Sequence, residues 1–211
     1  ADFDPARINY MGFSFGGIAG VPFLGVSSEV GASALPMAAG GLTAVLQGSG
    51  VYGPRINAAL AAANPLIQPG SALYRAFFRD AQTAIDSADA INYAQRAVTL
   101  PTGNARNIHM FYIVGGAPNP AGGTWAPDDT VPFARSQALA DLMGLKLVTA
   151  SETLAPTDTG VQVRLNSGVH GSYLDPDPAP AVYLEMQTQI AEFLADQGTE
   201  VTVTDPTVIA P

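Results

Sequence analysis

The sequence predicts an α/β fold, a mostly parallel sheet with flanking helices. One observation is a set of four short apolar runs: the start of "RINYMGFSFGG" (7–17), "VGASALPMAAGG" (30–41), "NIHMFYIVGG" (107–116) and "VQVRLN" (161–166). They mostly lack clean apolar–polar alternation, as strands buried on both faces do. A second is helical spacing between and after the runs. The third is the alternation itself, strand then helix, which defines the α/β class.

Each element has a local cause. After "RINYM" the chain passes a glycine-flanked serine and continues into small and apolar residues, so strand, sharp turn and helix follow one another. In "PFARSQALADLMG" (132–144), Pro132 suits a helix start, Phe133, Leu139, Leu142 and Met143 are expected inward, and Gly144 is the stop. "AVYLEMQTQIAEFLADQG" (181–198) repeats apolar residues every fourth position at Val182, Met186, Ile190 and Leu194 and closes at Gly198. The tail beyond Gly198 either adds an edge strand or lies disordered.

Residues 42–106 break the alternation for far longer than a usual connection. Their composition is helical, with breaks near Gly53, Pro54, Pro65 and Pro69. Ser71 is a candidate N-cap, and Leu73, Phe77, Ala81 and Ile85 share one helical face. This stretch reads either as an inserted helical cap or as helices packed on the sheet.

Composition excludes several functions. With 47% hydrophobic and 13% charged residues over 211 positions, the chain is expected to form one domain over 1–211 with a substantial core. A net charge of −9 with nine Lys and Arg and no basic stripe argues against nucleic acid as a partner. No apolar run reaches the roughly 18–20 residues of a transmembrane helix. There is no cysteine, so disulfides and thiolate metal sites are excluded, and two histidines leave no room for a multi-histidine metal site. No metal or organic cofactor is expected.

The chemistry concentrates on "MGFSFGG" (11–17), which sets Ser14 between Gly12 and Gly16. A serine hydroxyl needs a base beside it and a position that exposes its oxygen. A tight strand-to-helix turn supplies the exposure, glycines relieve its crowding, and the N–H of Phe15 at the helix start is placed to donate to an oxyanion. In such an architecture an acid and then a histidine follow, each on a loop after a strand. "GGTWAPDDTVPFARS" offers Asp128 and Asp129 after the run 107–116; one is expected to orient the histidine and the other to cap the next helix. "LNSGVHGSYLD" offers His170 after the run 161–166, as a base that takes the serine proton and returns it to the leaving group. Trp125 and Tyr173 flank the acid and base and are candidates to line a substrate pocket, packing being the alternative. His109, inside an apolar strand, reads as a strand residue, and Asp175 and Asp177 read as turn residues beside prolines.

On "INYMGFSFGGIAG", "DSADAINYA", "DDTVP" and "GVHGSYL", the chain resembles the α/β-hydrolase superfamily, specifically extracellular bacterial lipases of the virulence-factor type, from about Arg7 to Gly198. The resemblance implies a serine esterase or lipase that hydrolyses hydrophobic carboxylic esters, polyesters included, with Ser14 as nucleophile, Asp128 as acid, His170 as base and Asp129 as the alternative acid. It also implies a secreted or cell-envelope location. Ser14 lies almost at the start, whereas hydrolases of this fold place half the sheet and a second oxyanion donor before the serine. The expectation is a C-terminal portion of a hydrolase whose N-terminal piece, a separate polypeptide, completes the sheet. A non-catalytic binding module, an acyltransferase or a peptidase are the alternatives.

Overall fold

The computed structural model describes Asp4 and residues 7–211. In chain order the elements are β1 (Tyr10–Met11), α1 (Phe15–Val26), β2 (Ser33–Ala34), α2 (Leu42–Gly48), α3 (Tyr52–Ala63), α4 (Ala72–Ile85), α5 (Ala94–Ala97), β3 (Ile108–Ile113), α6 (Phe133–Met143), β4 (Lys146–Leu147), β5 (Glu152–Thr153), β6 (Gly160–Leu165), α7 (Pro180–Ala195) and β7 (Glu200–Val201).

Five strands form a parallel sheet in the order β1-β2-β3-β6-β4, the predicted class. Strands β3 and β6 run in register from Ile108↔Gly160 to Ile113↔Leu165 and form its centre. Side chains alternate across the pleat. Ile108 and Met110 therefore pack with α1, α5 and α6 on one face, and Phe111 and Ile113 with α7 on the other. With both faces covered, these strands have no reason to alternate polar and apolar residues. The tail does add a strand, but in a separate antiparallel pair, β5 with β7.

Two inward-face expectations are corrected. Leu142 is 45% exposed, because α6 buries Ser136, Leu139, Ala140 and Met143 instead. In α4 the Leu73 and Phe77 side chains are exposed and Phe78 is buried, a shift of one residue. That helix packs chiefly on α2 and the turn that follows it, so the sheet does not set its buried face. Ser71 does cap it, accepting from the Tyr74 amide at 3.1 Å.

Three buried polar side chains hold the layers together. Arg106 donates to the carbonyls of Leu24, Ser27, Val30 and Ala97 at 2.6–2.9 Å, the first three at or beyond the C-terminal end of α1 and the last at the end of α5, where a cation is favoured. Asp89, within "DSADAINYA", accepts from the amides of Gly41 at 2.8 Å and Leu42 at 2.6 Å and so pins the start of α2. Its carboxyl also accepts from Ile91 N and Gln82 Nε2. On the other face His109 is buried, as a strand residue, with Nε2 3.0 Å from Gln189 Oε1. The Gln189 amide nitrogen donates to Glu185, so its oxygen accepts, His109 carries its proton on Nε2, and Nδ1 is left without a partner.

Candidate active site

Ser14, Asp128 and His170 lie beyond the C-terminal ends of β1, β3 and β6, where parallel α/β sheets place their sites. Ser14 joins β1 to α1 with φ 54° and ψ −117°, a conformation that costs a non-glycine residue about 1–3 kcal/mol. The surroundings enforce it. The Ser14 N–H donates to Pro36 O at 2.9 Å, the Gly16 N–H to Phe13 O at 2.8 Å, and the Tyr10 hydroxyl to Gly16 O at 2.7 Å.

The glycines differ from expectation. A Cβ on Gly12 would stand 2.5 Å from Gly16 O, so glycine is required there. A Cβ on Gly16 would meet nothing within 4 Å, whereas one on Gly17 would stand 2.7 Å from Gly12 O and 2.8 Å from Ala38 Cβ. The second steric requirement therefore falls one residue later than the motif suggests. Helix α1 begins at Phe15, whose N–H, as the first of the helix, has no intrahelical acceptor and stays free for a ligand oxygen.

His170 Nε2 lies 2.8 Å from Ser14 Oγ, and its Nδ1 2.7 Å from Asp128 Oδ2. Asp128, only 7% exposed, uses its other oxygen to accept from the Thr130 and Val131 amides at 2.8 and 3.1 Å. Its own N–H donates to Ile113 O at the end of β3. With Nδ1–H donating to the carboxylate, Nε2 is left as acceptor for the serine proton. Asp129 is exposed, and its backbone carbonyl rather than its carboxylate holds the neighbouring Gly50 amide. Neither aspartate caps α6, which starts after Pro132 without a side-chain cap.

Two supporting side chains were missed in the sequence. Phe13 sits 5.2 Å from the His170 ring and 5.6 Å from Tyr173, between centroids, so it backs the imidazole. Ser172, fully buried, accepts from the Val169 amide at 2.9 Å and holds the turn that carries His170. Neighbourhood in "MGFSFGG" and "GVHGSYL" is the signal that could have found them. Tyr173 is corrected: it is buried against Phe13 and lines neither cavity described next, because its ring belongs to the core beneath α7.

Two cavities meet at Thr130. One, about 510 Å³, is lined by Asp128, His170, Trp125, Asn119, Thr124 and Asp129 among others, so Trp125 does face it. The other, about 270 Å³, opens at Ser14 and Phe15 and runs between α1 and α2. Among the described residues no three His, Asp or Glu side chains converge as metal ligands would, and no helix is long and apolar enough to cross a membrane.

No family model and no curated protein sequence matches the chain. Solved structures do. The acylaminoacyl peptidase of Pyrococcus horikoshii is similar over 93% of this chain and 25% of its own, with a TM-score of 0.61 at 12% identity. An acylaminoacyl peptidase in complex with Z-Gly-Gly-Phe-chloromethyl ketone is similar over 91% of this chain and 24% of its own, at a TM-score of 0.56 and 13% identity. The Pyrococcus furiosus esterase Pf2001 is similar over 91% and 54%, at a TM-score of 0.50 and 12% identity. The chain thus has the α/β-hydrolase fold and spans between a quarter and about half the length of these neighbours.

Proposed function

We propose that this chain carries the catalytic residues of a serine hydrolase that cleaves carboxylic esters through an acyl-enzyme on Ser14. The observation that supports it most is the continuous relay from Ser14 Oγ through His170 to Asp128, at 2.8 and 2.7 Å, set on a strained turn. Ser14 Oγ attacks the ester carbonyl carbon as its proton passes to His170 Nε2. The Phe15 N–H donates to the oxyanion. When the carbon–oxygen bond to the alcohol breaks, His170 hands that proton to the departing oxygen. Water then adds to the acyl carbon, gives a proton to His170, and the acid leaves as Ser14 regains its hydrogen. Asp128 holds the imidazole tautomer and stabilises its cation throughout.

The same residues serve amide cleavage, and the two peptidase neighbours favour that as the second reading. Esters and amides of one acyl group, assayed side by side on the purified protein, separate them. Hydrolysis of the ester alone supports the first reading, and equal turnover of the anilide supports the second.

We place a further polypeptide segment against β1. That strand ends the sheet, Met11 within it and Ile8 just before it are exposed, and the pleat turns the Met11 and Phe13 amides away from β2. A parallel strand there, from an N-terminal piece of the same hydrolase, covers the edge and brings the second oxyanion donor. Residues 42–85 form the cap in this reading, since α3 and α4 lean on α2 rather than on the sheet, while α5 packs on α1 and α6 and belongs to the body.

A further inference from the structure

The two cavities flank Ser14 unequally, and the chemistry of the proposed reaction tells them apart. The departing oxygen takes its proton from His170 Nε2, so the alcohol lies on the His170 side, where the cavity of about 510 Å³ opens. The acyl group stays on Ser14 Oγ. The cavity that contains Ser14 and Phe15 is the one between α1 and α2.

We propose that this second cavity is an acyl pocket with a closed end, and that it selects linear aliphatic acyl groups of short to medium length; the assignment rests on the serine-hydrolase reading. Ile18, Val45 and Val131 are buried and form its floor, Leu42 and Leu46 its partly buried walls, and Phe15 and Tyr52 its exposed rim. Apart from Ser14, Thr130 and the Tyr52 hydroxyl, every lining side chain is hydrocarbon, and none carries a charge. An acyl chain gains by leaving water there and meets no group to pair with a polar substituent. A cavity of about 270 Å³ with a buried floor suits a short to medium aliphatic chain better than a long one.

The pocket is tied to the catalytic residues. Ile18 lies one helical turn after Ser14, and its N–H donates to Ser14 O at 2.9 Å. The Val131 amide is held by Asp128 Oδ1, and the α2 wall is fixed at its start by Asp89. Such a pocket has little freedom to lengthen for a longer chain.

The test uses a p-nitrophenyl n-alkylphosphonate series from ethyl to hexadecyl on the full chain, with labelling of Ser14 timed by intact mass. It needs the nucleophile but not turnover. The expected rate constant rises to hexyl or octyl and falls at least tenfold by hexadecyl. Leu46→Trp, a change in a partly buried wall, should lower the ratio of octyl to ethyl labelling rates at least tenfold. Ile18→Ala, which deepens the floor, should move the optimum toward longer chains. If Ser14 labels at one rate across the series, or neither variant moves the optimum, the pocket assignment is overturned and the hydrolase reading stands. If no member labels Ser14 in folded protein, both fall.

Discussion

Asp128 and His170 are joined by a carboxylate whose two oxygens have different occupations: Oδ2 faces His170 Nδ1 at 2.7 Å, while Oδ1 accepts the Thr130 and Val131 amides. In Asp128→Asn those two amides hold the side-chain oxygen at the Oδ1 position. The NH2 then faces Nδ1 and donates to it, which forces the proton onto Nε2 and removes the acceptor for Ser14. Ester turnover should fall roughly 10⁴-fold, the scale a wrong tautomer costs in serine hydrolases. Asp129→Asn, whose carboxylate is exposed, should stay within about twofold. Steady-state kinetics on the two variants, with unfolding curves alongside, checks this.

The glycines around Ser14 should separate by one residue. Gly16→Ala adds a methyl into open space inside α1 and should fold as well as the parent or gain up to about 1 kcal/mol. Gly17→Ala drives that methyl into the Gly12 carbonyl and Ala38, and Gly12→Ala into Gly16 O. Both should lower the urea midpoint clearly. Equal stability of all three would mean that the turn relaxes.

Arg106 carries its charge into the interior with four carbonyls as its partners. Arg106→Met leaves those acceptors without donors, at about 1–3 kcal/mol for each one that water cannot reach. Arg106→Lys should recover little, since an ammonium cannot span carbonyls arranged for a planar fork. Urea denaturation of both variants reads the loss.

Acid should destabilise the fold in two windows. Burial holds His109 down to about 4, against an ordinary value of 6.5, although Gln189 opposes it. Between those values the unfolded chain binds the proton and the folded one does not, so stability is lost as pH falls from 6.5 toward 4, by an amount of order 3 kcal/mol. Burial raises the Asp89 carboxyl, but the Gln82 side chain and the amides of Leu42, Ile91 and Gly41 outweigh it and hold the group below 3.8. Its contribution is present above that value and is lost as pH falls further. His109→Leu should flatten the first window and Asp89→Asn the second, in urea midpoints measured from pH 3 to 8.

How much of this was legible in the sequence follows from which interactions are local. Ser14 and His170 were legible because each lies in a glycine-bounded turn just after an apolar run, and the aspartate pair because it lies between two prolines ahead of a helix. The central strands β3 and β6 were legible as apolar runs themselves. Choosing Gly17 over Gly16 was not, because the clash depends on how the turn sets Gly12 O against α1 and on Ala38, which is brought close only by folding. The buried position of Tyr173 depends on Phe13, far away in the chain. Strands β4, β5 and β7 have two residues each, too few to show a period, and exist through their partners. "DSADAINYA" stood out as a motif, yet the role of Asp89 at the start of α2 required seeing Gly41 and Leu42 beside it.

The proposed chemistry depends above all on Ser14 being an activated nucleophile. Its most direct measurement is intact mass after treatment with a small fluorophosphonate, on the parent, Ser14→Ala and His170→Ala. One adduct is expected, located at Ser14, absent in Ser14→Ala and at least about a hundredfold slower in His170→Ala. A folded parent that takes no adduct, or takes it on another residue, would contradict that chemistry.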